Sequence, residues 1–171
     1  MKDLQAVITL REYRKTDTER LVDLANNKNV SRYLIDTFPY PYTQKDANWF
    51  LETGSSANGV VVKAIEYQGK FVGIVGITPQ TGWKKHIAEI GYWIGEAYWG
   101  KDITPEALKM MSNLAFSTLN YKKLFAPVLA PNKNSMRVLE KCDYALEGVL
   151  KNEVLKDGQY FDVYHYSKQC P

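Results

Sequence analysis

Residues 88–119 read AEIGYWIGEAYWGKDITPEALKMMSNLAFSTL, a pattern that predicts a strand, a loop and a helix in succession. Residues 88–95 are apolar and aromatic and end at a glycine, which is typical of a short buried strand. We expect the helix over 105–119, because Thr104 can cap its first turn and Pro105 suits the first helical position. A helix that begins just after a strand presents free backbone N–H groups to an anion. The pattern also fits an ordinary strand–loop–helix unit that binds no ligand, and both interpretations stay open.

The composition is that of one globular domain. With 171 residues, of which 45% are hydrophobic and 24% charged, we expect a single domain over 1–171 with a sizeable core. The net charge of +3 is small and spread along the chain, so no nucleic-acid partner is expected. No apolar run reaches the length of a membrane span, and residues 1–5 lack the apolar core of a secretion signal. Two cysteines, Cys142 and Cys170, make a reduced, cytoplasmic setting the simpler expectation.

Strand and hairpin patterns place a sheet around the 88–119 segment. Pro127 lies inside an apolar run at 123–129 and cannot donate a ladder hydrogen bond, so that strand should be unpaired on one side there. Together with 88–95 and 105–119, this strand would form a right-handed parallel crossover. The other predicted strands are 6–13, the hairpin 60–67 and 70–77, and the hairpin 148–155 and 159–166.

Helices are expected in the remaining segments. A capping-box pattern at 16–19 predicts one helix, and residues 43–46 begin another. Between them, 38–42 should be an extended aromatic loop, because each proline disfavours helix at the residue before it. The last helix is expected at 136–141.

Several common catalytic patterns are missing from the sequence. It contains no P-loop, no dinucleotide-binding glycine fingerprint, no zinc-type spacing of Cys and His and no serine-hydrolase elbow. His86 and His165 lie far apart in the sequence, so surface or packing roles suit them better than catalysis. We therefore expect no metal site.

Three features converge on one end of the predicted sheet. The start of the Pro105 helix suits a phosphate, and the edge between strands 88–95 and 123–129 is expected to be unpaired. Asn132 and Ser135 follow the second strand at the same end. A ligand with a pyrophosphate and a long amide-bearing arm would use all three features.

The order and spacing of these motifs resemble the GNAT superfamily of acyl-CoA N-acyltransferases, and within it the RimJ/RimL-like branch. The resemblance covers nearly the whole chain, from Arg11 with a following Asp17 to the hairpin turn at 157–158. Its most specific parts are Ala88-Glu89-Ile90-Gly91-Tyr92-Trp93-Ile94, the loop Trp99-Gly100-Lys101 with Glu106-Ala107, and Asn132-x-x-Ser135 followed by Val138-Leu139-Glu140-Lys141.

The sequence departs from the family pattern mainly at the pyrophosphate loop. Asp102 stands where the family usually has glycine, and Thr104 where it has glycine or alanine. Asp102 adds negative charge beside the expected phosphates, although aspartate tolerates a left-handed backbone better than most residues. Asp143-Tyr144 replaces the common glycine–phenylalanine pair after the last helix. These departures bear on cofactor affinity more than on the fold.

The resemblance implies both the fold and the reaction. The implied fold is α/β (α+β), a single GNAT-like domain whose mixed, mostly antiparallel sheet is flanked by helices and splayed between strands 88–95 and 123–129. The implied reaction transfers an acetyl group from acetyl-CoA to a primary amine by direct attack in a ternary complex. The expected cofactor-binding residues are Trp93, Ile94, Trp99, Gly100, Lys101, Asp102, Ile103, Thr104, Asn132 and Ser135.

The resemblance also assigns two side chains to the chemistry. Glu89 matches the strand glutamate that acts as general base in histone-acetylating relatives, here expected to act through water. Ser135 matches the family serine that is placed to donate a hydrogen bond to the leaving sulfur. A structural ion pair for Glu89 and a helix cap for Ser135 are the simpler alternatives.

The resemblance to the RimJ/RimL-like branch implies that the acceptor is the α-amino group of a peptide or protein N-terminus, and the pKa values of amines agree with it. An α-amine has a pKa of about 8, against about 10.4 for a lysine amine, so less proton removal is needed near neutral pH. One alternative is a small-molecule acceptor such as a polyamine or a drug. Another is that the protein is a non-catalytic CoA-binding module. We expect the protein to be a monomer or a homodimer. The residues expected to line the substrate groove are Tyr33, Phe38, Tyr40, Tyr42, Tyr160 and Tyr164.

Overall fold

Seven strands pair into one mixed sheet within residues 7–171, which are the residues that the computed structural model describes. In chain order they are β1 (Ile8–Arg11), β2 (Val61–Tyr67), β3 (Lys70–Pro79), β4 (Ile87–Ile94), β5 (Lys123–Leu129), β6 (Ala145–Lys156) and β7 (Gln159–Gln169). Their order across the sheet is β1-β2-β3-β4-β5-β7-β6, and only the β4–β5 pair is parallel. The mixed, mostly antiparallel sheet is confirmed; of the predicted first strand, residue 6 lies outside the described residues.

Helices cover both faces of this sheet. The α-helices of the described residues are α1 (Thr18–Ala25), α2 (Lys28–Ser31), α3 (Gln44–Trp49), α4 (Ile103–Ser117) and α5 (Lys133–Lys141). The chain leaves α3 through a π-helical turn, Phe50–Gly54. The larger core cluster lies between the sheet and α4 and α5, whereas the smaller one joins α1 and α3 to Ala64, Phe71 and Trp93.

The sheet is splayed where β4 meets β5. The parallel ladder joins only Ile87–Glu89 to residues 123–125, so the rest of β4 has no strand partner on that side within residues 7–171. Pro127 of β5 pairs with His165 of β7. Proline has no backbone N–H, so the edge of β5 that faces β4 lacks a hydrogen-bond donor at this residue. The unpaired edge predicted from the proline is confirmed.

Two helices begin earlier than the sequence pattern predicts. α4 begins at Ile103, so its N-cap is Asp102, and Thr104 is a buried residue of the first turn rather than the cap. Asp102 makes this possible because it adopts a left-handed backbone, with φ of 54°, that turns the chain into the helix early. α5 begins at Lys133 with Asn132 as its N-cap.

An ion-pair cluster anchors α1 to the edge of the sheet. Arg11 of β1 contacts Asp17 at 2.8 Å and Glu66 at 2.5 Å. Burial opposes ionisation of Asp17, but hydrogen bonds from the Arg11 side chain and the Arg14 backbone hold the pKa of this carboxyl below its usual value. The stabilisation is therefore present at neutral pH and is lost as the pH falls through the lowered pKa. The cluster fixes the start of the segment that covers the smaller core.

Candidate active site

A groove of about 350 Å³ opens at the splay between β4 and β5. We call it the splay groove; the end of β4, the loop before α4, the start of α4, the exposed face of α5 and the turn after α2 line it. All ten residues predicted to bind the cofactor line this one groove: Trp93, Ile94, Trp99, Gly100, Lys101, Asp102, Ile103, Thr104, Asn132 and Ser135. The structure thus brings together what the sequence predicted as one site.

The loop before α4 is built from two left-handed residues. Gly100 has φ of 73° and Asp102 has φ of 54°, so the chain turns twice within three residues before the helix begins. This geometry points the first backbone N–H groups of α4 out of the helix, where no intrahelical carbonyl can accept from them. The Asp102 carboxylate lies 2.8 Å from Lys141 Nζ, and that hydrogen bond holds the pKa of Asp102 below its usual value.

Cations outnumber anions among the charged side chains of the splay groove. Arg32, Lys101, Arg137 and Lys141 line it, while Asp102 is the one carboxylate that residues 7–171 contribute to its lining. A groove with this charge and with free helix N–H groups suits a polyanionic ligand such as a pyrophosphate. Three of these cations, Arg32, Arg137 and Lys141, were not predicted from the sequence as cofactor-binding residues. Arg137 and Lys141 lie four residues apart on α5 and therefore share one face of that helix.

The free edge of β4 is partly occupied from within the chain. The indole N–H of Trp99 donates to the backbone carbonyl of Ile94 at 3.0 Å. A carbonyl oxygen has two lone pairs, so Ile94 keeps one acceptor position for an amide-bearing arm. Trp99 therefore fixes the end of the strand edge in addition to lining the splay groove.

Ser135 lies at the start of α5 without being its cap. The Asn132 side chain caps the helix by accepting from the Ser135 backbone N–H, so the cap interpretation of the serine does not hold. The Ser135 hydroxyl is 2.9 Å from the hydroxyl of Tyr92 on β4. Burial raises the pKa of Tyr92, which therefore stays protonated at neutral pH. Tyr92 was missed by the sequence analysis because an aromatic residue in a buried strand predicts only packing.

A second cavity, of about 480 Å³, lies between α1, α3 and the face of β2, β3 and β4 that these helices cover. We call it the apolar cavity, since most of its lining side chains are aliphatic or aromatic. Leu34, Tyr92 and Trp93 line both the apolar cavity and the splay groove, so the two meet at the end of β4. A group carried along the splay groove can be presented to the apolar cavity at this junction.

Glu89 points into the apolar cavity and not into the splay groove. Burial alone raises the pKa of its carboxyl, and no side-chain hydrogen bond or charged group among the described residues lowers it. The structural ion pair considered as an alternative is therefore not formed within residues 7–171. Asp46, the other carboxylate that lines the cavity, accepts hydrogen bonds from the Thr43 backbone N–H and hydroxyl, which lower its pKa.

The six aromatic residues predicted for the substrate groove divide between several places. Phe38 and Tyr42 line the apolar cavity with ring centroids 5.1 Å apart. Tyr33 lines the splay groove instead. Tyr40, Tyr160 and Tyr164 line neither cavity. The rings of Tyr40 and Tyr160 are exposed, and Tyr164 lies on β7 beneath Lys133.

Comparison with known proteins agrees with this geometry. Residues 8–145 match the family described as the Acetyltransferase (GNAT) domain. The chain belongs to the GNAT family. It is thus an acetyl-CoA-dependent N-acetyltransferase, and acetyl-CoA is its cosubstrate. The alternative of a non-catalytic CoA-binding module is not retained.

GNAT relatives match nearly the full length of the chain at low identity. The uncharacterized N-acetyltransferase p20 of Bacillus licheniformis is 27% identical over 94% of this chain and 91% of its own. The spermidine N(1)-acetyltransferase of Vibrio cholerae is 25% identical over 94% and 91%. Among solved structures, Mycobacterium smegmatis RimJ in complex with CoA-disulfide superimposes with a TM-score of 0.85 at 23% identity, covering 95% of this chain and 82% of that one.

Among residues 7–171 no cluster of three His, Cys, Asp or Glu side chains could hold a metal ion. Nor is any helix in that range long and apolar enough to cross a bilayer. Acetyl-CoA supplies the thioester from which the acetyl group is transferred.

Proposed function

We propose that this protein acetylates the α-amino group of a peptide or protein N-terminus, by direct attack in a ternary complex. The observation that carries the proposal is the position of Glu89. Its carboxylate is unpaired among the described residues and lies in an apolar cavity that meets the splay groove at Tyr92 and Trp93. An amine bound in the apolar cavity would lie next to Glu89. It would also lie at the end of the splay groove, which suits CoA.

Glu89 is the proposed general base. The amine must be neutral to attack the thioester carbonyl, and Glu89 takes up its proton through a water molecule as the N–C bond forms. Burial raises the pKa of this carboxyl and makes it a stronger base than an exposed glutamate. An α-amine has a pKa of about 8, so it needs less assistance than a lysine amine with a pKa of about 10.4. One buried carboxylate suits the easier acceptor.

Ser135 is the proposed hydrogen-bond donor to the leaving sulfur. The C–S bond breaks as the thiolate forms, and a nearby hydroxyl stabilises the developing charge. The hydroxyl of Tyr92 lies 2.9 Å from that of Ser135; in the proposed reaction Tyr92 donates to the Ser135 oxygen and so leaves the serine proton free for the sulfur. The splay groove would hold the cofactor through Lys101, Arg137 and the start of α4, and Asn132 would contact its arm.

A polyamine acceptor is the second candidate. The relatives include a spermidine N(1)-acetyltransferase, and two carboxylates, Asp46 and Glu89, line the apolar cavity. Asp46 is engaged at the start of α3, however, and the remaining walls are mostly apolar, which disfavours a chain carrying several positive charges. For the cellular setting we propose the cytoplasm, which fits a chain whose two cysteines are free thiols.

The test is competition between acceptors at fixed acetyl-CoA. Short peptides with a free N-terminus, the same peptides with a blocked N-terminus and one internal lysine, and spermidine are compared by kcat/KM. We expect the free N-terminus to be preferred. Preferential acetylation of spermidine, or of the internal lysine, would overturn the choice of acceptor and leave the fold and the cofactor groove unaffected.

A further inference from the structure

Two glycines face each other in the floor of the apolar cavity. This floor is one face of the sheet, where Thr78 pairs with Glu89, Gly76 with Gly91, and Ile74 with Trp93. Because side chains on one face of a strand recur every second residue, the glycine pair lies between the row of the proposed base and the row of Trp93. The pair has no side chains and leaves a trough across the floor, next to Glu89.

The trough opens into the cavity at Gly91. A Cβ atom added to Gly91 would meet no heavy atom within 4 Å, whereas one added to Gly76 would lie 3.3 Å from a methyl group of Val62. Gly91 is exposed and lies in the part of β4 that has β3 on one side and the splay on the other. It lines the apolar cavity and not the splay groove, so the open space at its Cβ position belongs to the cavity. Nothing in the backbone requires glycine there, since its φ is not positive.

The walls above the trough are apolar. Phe38, Trp49 and Phe50 border the cavity from the segment around α3, and Val62 and Ile74 border it from the sheet. None of the lysines, arginines and histidines in residues 7–171 lines the cavity. An occupant that lies here beside an amine at Glu89 is thus surrounded by carbon atoms and meets no cation.

We propose that the acceptor amine carries a bulky apolar group, which lies over the Gly76–Gly91 trough, and that Gly91 is a specificity-determining residue. For a peptide acceptor, this group is the side chain of the first residue. The inference rests on the proposed function and narrows it to N-termini that begin with a large aliphatic or aromatic residue. Burial of a leucine- or phenylalanine-sized group predicts a preference of roughly 10- to 150-fold in kcat/KM over glycine at that position.

The experiment compares four peptides that differ only in the first residue, which is Gly, Ser, Leu or Phe. The wild-type protein should prefer Leu and Phe over Gly and Ser. Gly91→Val fills the trough with a residue favoured in strands, so it should abolish this preference while the KM for acetyl-CoA stays unchanged. Gly148→Val is the matched control: Gly148 also lies on a strand with open space at its Cβ position, but it lines neither cavity.

Phenethylamine and ethylamine complete the panel and separate this inference from the proposed function. If no peptide reacts but phenethylamine is acetylated far faster than ethylamine, the proposal of an N-terminal acceptor is wrong. The inference that the acceptor carries a bulky apolar group is then supported. Equal kcat/KM for the Gly and Phe peptides in the wild type would overturn the inference alone, and a preference for spermidine would overturn both. Should Gly91→Val fail to fold by circular dichroism, Gly91→Ala replaces it, and an unchanged preference in that variant contradicts the role of Gly91.

Discussion

The splay groove and the apolar cavity meet at Tyr92 and Trp93 but are built in different ways. The groove uses backbone N–H groups, a strand edge and four cations, mostly from the segments 92–105 and 132–141, and the segment 29–34 completes it. The cavity uses side chains from α1, α3, β2, β3 and β4, which lie far apart in the sequence. A ligand common to a whole family can be bound by backbone geometry, whereas an acceptor that varies is selected by side chains. Substitutions in one region should change the kinetics for its own ligand and leave those for the ligand of the other region unchanged.

Glu89→Gln should cause the largest change. Loss of the general base is expected to lower kcat/KM for the acceptor by ~10²–10⁴-fold. The KM for acetyl-CoA should not change, because Glu89 does not line the splay groove. Glu153→Gln, at an exposed position on β6, is the control. If a folded Glu89→Gln protein keeps wild-type turnover, the assignment of Glu89 as general base is wrong.

The pH dependence of the same variant gives a second test. Burial raises the pKa of Glu89, so wild-type activity should fall as the pH drops through a value above that of an ordinary glutamate, and this acidic limb should vanish in the variant. The raised pKa means that the folded state binds the proton more tightly than the unfolded state. Stability therefore decreases as the pH rises through this range, and Glu89→Gln should be more stable than the wild type at neutral pH. Thermal unfolding of both proteins at pH 5 and pH 8 shows whether the stability of the variant relative to the wild type increases with pH, as expected.

Ser135→Ala should have the next largest effect. Loss of a hydrogen bond to a charged group predicts about a 10- to 150-fold decrease in kcat. Tyr92→Phe keeps the ring in both cavities and removes only the hydroxyl that orients Ser135, so its effect should be smaller. In the double variant the two effects should not add, because the tyrosine hydroxyl acts through the serine. Additive losses would mean that Tyr92 acts independently.

The splay groove could largely be predicted from the sequence. Its loop, helix start and strand edge follow from local signals such as Gly100, Pro105 and Pro127, and all ten predicted cofactor residues line it. What the sequence missed there are cations such as Arg137. A surface lysine or arginine is common on any helix, so its role is visible only when the helix is placed beside α4.

The apolar cavity could be predicted only in part. Glu89, Phe38 and Tyr42 were identified, but Trp49, Phe50 and Gly91 were not. These residues come together only when α3 packs over the sheet, and the Gly76–Gly91 pairing depends on strand register. A glycine in a strand pattern signals close packing as often as open space. Sequence periodicity gives the face on which a residue lies, but not what lies opposite.

Arg137→Gln should weaken the splay groove without affecting the apolar cavity. Loss of one partly exposed cation near a phosphate is worth on the order of 1 kcal/mol, which is about a fivefold increase in the KM for acetyl-CoA. The difference from the wild type should shrink at high salt, because exposed charges are screened. Arg14→Gln, an exposed arginine that lines neither cavity, is the control. A change in the relative kcat/KM of two acceptors would show that the two regions are coupled.

Asp102→Gly should have the smallest effect, and in the opposite direction. Asp102 holds a left-handed backbone that glycine adopts more easily, and its exposed carboxylate engages Lys141, which also lines the splay groove. Glycine would release this lysine to the ligand and remove a negative charge, so we expect the KM for acetyl-CoA to fall about two- to fivefold, the range of an exposed ion pair. Asp102→Asn removes the charge and keeps a side chain that tolerates the left-handed region, so it measures the charge alone. If both variants raise the KM for acetyl-CoA instead, the Asp102–Lys141 ion pair favours cofactor binding overall. In that case the pair strengthens binding by holding α5 beside the loop, and this effect exceeds the repulsion between Asp102 and the phosphates. The aspartate in place of the family's glycine would then be a structural element of the groove.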